Sequence, residues 1–285
     1  MTAPSEKRRT SKDERRRRIV AELRANPTVR ISELARLFGV TTETVRRDVD
    51  SLSDEGLVSR TYGGAAATTL SREPSLDERH GLLVAERQRI ARAAVDFVED
   101  GQVLMIDSGA TTAHFVRRLA VERQRLTVIT NGTGLAAALA ANASFRVLLC
   151  PGDYNASESG TYGPEVGAFL ERYRADRAFV GAGGMTLEGP NDVSAELCWV
   201  KRAMIERARE TTLLIDHSKF DRFGLLRICA PEDLRRVVSD ASLPAELAQA
   251  LRHKGVEVVI APDERAAGDA EEAAAEPLST TAFRA

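Results

Sequence analysis

From about residue 89 to residue 262 the chain alternates short apolar runs with amphipathic stretches, and that alternation leaves few folds open. Runs at 103–106, 127–129, 146–149, 178–180, 212–215, 236–238 and 257–260 predict seven strands. Stretches such as 113–120, 135–141 and 200–209 predict helices between them. Parallel neighbours need a crossover, and a helix is the usual one, so the pattern implies an α/β body with a mostly parallel sheet.

The loops that leave these strands point to a ligand. Asp107-Ser108-Gly109-Ala110-Thr111-Thr112 comes after the first, Thr130-Asn131-Gly132-Thr133 after the second and Pro151-Gly152-Asp153-Tyr154 after the third. Gly181-Ala182-Gly183-Gly184 comes after the fourth and Asp216-His217-Ser218-Lys219 after the fifth. Each alone reads as an ordinary turn. Five at the carboxyl edge of one sheet, where α/β proteins bind ligands, read as a site. Backbone N–H groups, hydroxyls and helix N-termini suit a phosphate, and Lys219 supplies a point charge. There is no GxGxxG and no GxxxxGK(S/T), so neither a dinucleotide site nor an NTPase loop is expected, and no cofactor. The four histidines and three cysteines lack metal-ligand spacing, so no metal is expected. Cys150, Cys198 and Cys229 read as buried small hydrophobes in a reducing cytoplasm, and Trp199 as partly buried packing.

The first sixty residues have a different texture. Ile19, Val20 and Leu23 share one helical face, Ser32 precedes a second helix as its N-cap, and Gly39 suits the turn to a third capped by Thr41 or Thr42. In that third helix Val45, Val49 and Leu52 form the core side, which leaves Thr42, Glu43, Thr44, Arg46 and Arg47 on the outer turns. Leu57 to Ala65 reads as a strand and a Gly-Gly turn, a wing. The pattern is a winged helix-turn-helix, whose second paired helix enters the major groove of DNA, where arginine forks read guanine or clamp phosphates. The same topology also occurs in enzymes and protein-binding modules. Charge favours DNA: residues 1–60 carry a net +4, and the remainder −6.

The expected organisation is a disordered basic arm (1–12), the winged head (13–74), a charged linker (75–88), the α/β effector-sensing and oligomerisation domain (89–262) and a disordered acidic, alanine-rich tail (263–285). No run approaches the ~18 apolar residues of a membrane span, and the basic start leads into an amphipathic segment rather than a secretory signal.

Ile31-Ser32-Glu33-Leu34-Ala35, the run Thr41-Thr42-Glu43-Thr44-Val45-Arg46-Arg47-Asp48-Val49, and Gly56 to Ala65 resemble the DNA-binding head of the DeoR-type bacterial regulators. Thr41 stands where that family more often has Ser, and Val45 and Val49 are smaller than its usual residues. The resemblance continues through the body: the Asp107–Thr112 loop, Thr130-Asn131, Ser159-Gly160, Gly181–Gly184, Glu196 with Lys201, and Asp216–Phe220 fall in family order. Ala110 replaces a hydroxyl residue, and Cys150-Pro151-Gly152 replaces a Gly-Gly turn.

The resemblance implies a body like ribose-5-phosphate isomerase and glucosamine-6-phosphate deaminase in fold. It also implies a regulator, most often a repressor, that binds operator DNA as a homo-oligomer, dimer or tetramer, and responds to a phosphorylated sugar. Expected DNA contacts are Thr42, Glu43, Thr44, Arg46, Arg47, Arg60, Tyr62 and Gly63. Expected effector contacts are Asp107, Ser108, Gly109, Thr111, Thr112, Thr130, Asn131, Gly181, Gly183, Glu196 and Lys219. The competing reading is a sugar-phosphate isomerase or deaminase with an accessory head, in which Asp107, Glu196 and Lys219 do acid–base work. A shared fold does not carry a shared activity. A third reading, a protein-binding adaptor, would leave the head indifferent to DNA.

Overall fold

The computed structural model describes residues 11–25, 28–54, 57–61, 64–67 and 75–263. Apart from residues 11, 12 and 263, the expected arm and tail lie outside them. The chain divides into two compact units, 1–72 and 73–285.

The first unit holds α1 (Lys12–Ala25), β1 (Thr28–Arg30), α2 (Ile31–Phe38), α3 (Thr42–Asp54), β2 (Val58–Thr61) and β3 (Gly64–Ala67). Ile19, Leu23, Leu34, Phe38, Val45, Val49, Leu52 and Val58 make its core. Full burial of each large side chain contributes about 1.5–3 kcal/mol before chain entropy is charged against it. Gly39 turns the chain between α2 and α3 at φ +64°, a conformation that costs glycine nothing. The wing is a three-stranded antiparallel sheet, β1-β3-β2, and β1 was not anticipated. It also displaces the expected cap. Arg30 pairs with Gly64, the helix starts at Ile31, and Ser32 lies inside the first turn instead of capping it. The Arg30 N–H donates to the Glu33 carboxylate at 3.2 Å.

The second unit runs α4 (Leu76–His80), α5 (Val84–Val95), β4 (Val103–Ile106), α6 (Ala110–Glu122), β5 (Thr127–Thr130), α7 (Thr133–Ala140), β6 (Arg146–Leu149), β7 (Asp153–Asn155), β8 (Gly160–Tyr162), α8 (Pro164–Leu170) and β9 (Ala175–Val180). It continues through β10 (Gly184–Thr186), β11 (Gly189–Asp192), α9 (Ala195–Arg207), β12 (Ala208–Leu214), β13 (Leu226–Arg227), β14 (Arg236–Ser239), α10 (Ala245–His253) and β15 (Glu257–Ile260). Seven strands form one sheet in the order β15-β14-β12-β9-β4-β5-β6, every pair parallel.

Strand alternation sorts side chains to two faces. Leu104, Ile106 and Val128 pack with α5, α6 and α7; Met105, Ile129 and Ala178 pack with α8 and α9. Val180, Leu213 and Val237 extend the second face under α10. The strand order reverses between β9 and β4, and this topological switch point opens a crevice at the strands' carboxyl ends.

Residues 75–88 are not a linker. They carry α4 and the start of α5; Leu76 and Arg87 are buried, and Leu76 N–H donates to Ser157 O at 2.8 Å. Trp199 is 59% exposed, not packed. Cys150 and Cys198 are buried and Cys229 half-buried. Burial raises the three thiols to about 12, 11 and 12 respectively. Among the described residues, no helix is long and apolar enough to cross a membrane, and no three His, Cys, Asp or Glu side chains are placed to hold a metal.

Candidate functional site: a recognition helix and a switch-point cleft

On α3 the Thr41 hydroxyl accepts the Thr44 N–H at 3.2 Å, so Thr41 is the cap. Thr42, Glu43, Arg46 and Arg47 stand exposed on the outer face, with Thr44 half-buried beside them. Glu43 accepts from Arg46 at 3.0 Å and lies 3.4 Å from Arg47. Asp48, the next residue, turns inward and meets the buried Arg15 of α1 at 2.5 Å. The Arg-Arg-Asp run therefore splits into two outward cations and one inward anchor. Arg60 sits on β2, and Tyr62 and Gly63 lie outside the described residues.

In the second unit the loops after β4, β9 and β12 meet at the switch point in a cleft of about 410 Å³, counting the part open to solvent. Asp107, Ser108, Gly109, Thr111, Gly181 and Lys219 line it, as expected from the sequence. The Gly181 N–H donates to Asp107 Oδ1 at 3.0 Å and ties the two sides of the crevice together. Gly109 caps the thirteen-residue α6, whose first three N–H groups have no partner within the helix.

Four expected contacts stand behind this wall. Thr112 spends its hydroxyl on Asp107 O and Gly109 O, at 2.8 and 3.0 Å. Thr130 Oγ1 accepts the Gly132 N–H, and Asn131 accepts the Ser108 N–H at 2.9 Å while donating to Thr161 O. The Gly183 N–H donates to Asn191 O at 3.0 Å. These groups shape the loops and do not face the cleft. Ser108 lines it, but its hydroxyl donates to Glu158 O at 2.7 Å.

Glu196 is misplaced by the sequence reading. It is exposed, beside Trp199 and the start of α8, and is not among the cleft residues. Lys201 faces the cleft instead: its ammonium lies 2.6 Å from Asp107 and 3.3 Å from Asp192. At 100° per residue, five positions along a helix turn the side chain by about 140°, so α9 cannot present both residues to one place.

A DeoR-like helix-turn-helix model matches residues 15–70, and the DeoR C-terminal sensor domain matches residues 83–241. The chain belongs to the DeoR family of transcriptional regulators. It is 30% identical over 231 residues to the HTH-type transcriptional repressor CsqR of Escherichia coli K12, covering 81% of this chain and 88% of that one. It is 30% identical over 224 residues to the glycerol-3-phosphate regulon repressor of Escherichia coli K12, covering 78% and 88%. Among solved structures it is similar to a D-ribose-5-phosphate isomerase in complex with phospho-erythronic acid, at TM-score 0.36 and 16% identity, covering 47% of this chain and 52% of that one.

In this DeoR-family chain the cleft holds cations that the sequence reading missed. Arg79 of α4 pairs with Glu158, and Arg87 of α5 donates twice to Asp216 Oδ2, both at 3.1 Å. Asp216 also accepts the Ser218 N–H and hydroxyl, which shapes the short turn that places Lys219. Burial opposes the charge on Lys201, but Asp107 and Asp192 outweigh it, and the ammonium is held above its ordinary range. Burial pushes the Asp107 carboxyl up, with Lys201 and the Gly181 N–H pulling against it. His217, expected as a loop residue, bonds Asp240 through Nδ1 at 2.6 Å and is not among the cleft residues. The signal for Arg79 and Arg87 was their place in a helix rather than a connector, and it needed Leu76 and Ile90 to be read as inward positions.

Proposed function

We propose that this protein is a cytoplasmic repressor of genes for sugar or related metabolism, released from or driven onto its operator by a phosphorylated sugar held in the switch-point cleft. One observation carries the effector's class. The N-terminus of α6, with Thr111 beside it, opens into the same cleft as Lys219, Lys201, Arg79 and Arg87. Backbone N–H groups at a helix start together with cations recognise a phosphoryl group. The name of one relative, the glycerol-3-phosphate regulon repressor, agrees with a small phosphorylated polyol.

The phosphate sits against the Ala110 and Thr111 N–H groups with Lys219 as counter-charge. Asp107 and Asp192, held by Lys201, face the ligand's hydroxyls, because a carboxylate beside a phosphate repels it. The exposed turn of α3 reads DNA through Arg46 and Arg47, with Thr42, Glu43 and Thr44 flanking them, Arg60 on the wing, and Tyr62 and Gly63, which lie outside the described residues, as further contacts. The chain acts as a homo-oligomer, since helix-turn-helix heads pair on half-sites. Glu196 lies apart from the cleft that Asp107 and Lys219 line, which weighs against the acid–base role of the isomerase reading.

A ligand shifts DNA affinity only by its differential affinity for two states, typically about 5–150-fold. Operator affinity is therefore measured with and without a panel of sugar phosphates. Wild type should respond to at least one, and Lys219→Ala should keep operator binding but lose the response. An equal response by Lys219→Ala misplaces the phosphate; silence of wild type toward every phosphorylated metabolite ends the sensor reading.

A further inference from the structure

A second pocket lies behind the wall of the cleft. It encloses about 520 Å³, counting its open part, among α4, α6, α7 and the loop at Ser159. The two cavities share elements but not residues: Arg79 and Glu158 face the cleft, while their chain neighbours His80 and Ser159 face this pocket. Its floor is apolar, with Leu76 and Leu135 buried. Gly134 opens the α7 side, because a Cβ built there meets no atom within 4 Å.

The rim carries one guanidinium, Arg117, and one exposed carboxylate, Asp77. Arg117 is exposed, and no ion pair or hydrogen bond holds its side chain among the described residues. His80 Nδ1 and His114 Nε2, the latter on the next residue of α6 after Ala113, are buried without hydrogen-bond partners among the described residues. Burial first, then Arg117 with Arg79 and Arg87, holds the His80 imidazole below its ordinary range, against the single exposed carboxylate of Asp77. Burial with Arg117, Arg87 and His80 takes His114 down to about 4. Asp77 is the one carboxylate in the lining, and no ion pair ties it to Arg117 among the described residues, so the guanidinium beside His80 stands ready for an anion.

We infer that this pocket is a second ligand site, and that it takes an organic anion with an apolar arm. The carboxylate of such a ligand meets Arg117 and His80, and its arm lies over Leu76 and Leu135. A bare phosphate would leave that floor uncovered, and a neutral alcohol would leave Arg117 unanswered. The site is independent of the sugar-phosphate reading, and the two fail separately.

The test is calorimetric titration of the full-length protein with hexanoate, with 1-hexanol and inorganic phosphate as controls. Hexanoate should bind wild type and Lys219→Ala alike, and hexanol and phosphate should bind this pocket about tenfold more weakly or not at all. Arg117→Gln, a surface change, should weaken hexanoate about tenfold. Gly134→Phe should fill the pocket and abolish binding while circular dichroism stays native; Gly134→Leu replaces it if that variant does not fold. The inference is overturned if wild type does not bind hexanoate, if Arg117→Gln and the Gly134 variant bind it as wild type does, or if Lys219→Ala alone removes it.

Discussion

On the recognition helix, Arg46 and Arg47 stand in solvent and share one carboxylate, Glu43. In the body, Lys201 and Arg87 are buried, and each is fastened to buried carboxylates, Asp107 and Asp192 in one case and Asp216 in the other. Exposed pairs are worth about 0–1 kcal/mol and break readily, so the head's arginines can leave Glu43 for a phosphate or a base edge at little cost. Buried pairs have already lost their water, and they hold their geometry whether or not a ligand is present. One region keeps its cations cheap to redirect; the other keeps them set in place, so that a ligand need not order them.

The sharpest way to break this comparison is Lys201→Met. It leaves Asp107 and Asp192 buried together without their cation, and the body's unfolding transition in denaturant should lose about 3–5 kcal/mol. A loss below about 1 kcal/mol would mean that the cleft is wet and its pairs behave like those of the head. Asp48→Asn probes a buried pair of the head, Arg15 with Asp48, and should cost that unit about 1.5–3 kcal/mol. If it instead abolished operator binding without moving stability, Asp48 would belong to the reading face.

Arg47→Ala should do the reverse. Stability should change by less than about 0.5 kcal/mol, while operator binding weakens by about 1–3 kcal/mol if the side chain reads a base. A pure phosphate contact would weaken all sequences alike and lower the salt slope by about one, which shifts on operator and random DNA at two salt concentrations would separate.

The smallest expected effect lies between the two extremes. His217 is partly exposed, but it bonds the buried Asp240, first through that hydrogen bond and then through its charge, and its pKa is raised. A group raised in the folded state stabilises fully below its unfolded value of about 6.5, and that contribution is lost as pH rises through the folded value. Melting temperature should therefore fall as pH rises beyond about 6.5, and His217→Asn should flatten the slope. A slope unchanged by the substitution would assign it to other groups.

The five inner strands of the main sheet were legible because each carries a buried apolar run, the signature of a parallel strand covered on both faces, and the half-buried edge strands β6 and β15 were legible by their apolar runs at 147–149 and 258–260. Val45, Val49 and Leu52 declared the inner face of α3 by spacing alone. The strands of β7-β8 and β10-β11-β13 escaped notice because they are two to four residues long and rich in polar and glycine positions. Arg79 and Arg87 escaped for a different reason. Periodicity counts apolar residues as inward, and a buried arginine paired across 129 positions of sequence with Asp216 leaves no local mark. Lys201 was visible only as a neighbour of Glu196, and the helical angle that separates them favoured the wrong one of the pair.

The inward turn of Asp48 has a consequence for how such a head could acquire a new target. Its neighbours Arg46 and Arg47 are exposed, while Asp48 clamps the helix to α1. Letters on the outer face can be exchanged while the mount that carries them stays bolted down. A library that varies positions 42, 43, 46 and 47 and holds 15 and 48 fixed should therefore return folded proteins with altered operators, and retargeting need not pass through unfolded intermediates in sequence space.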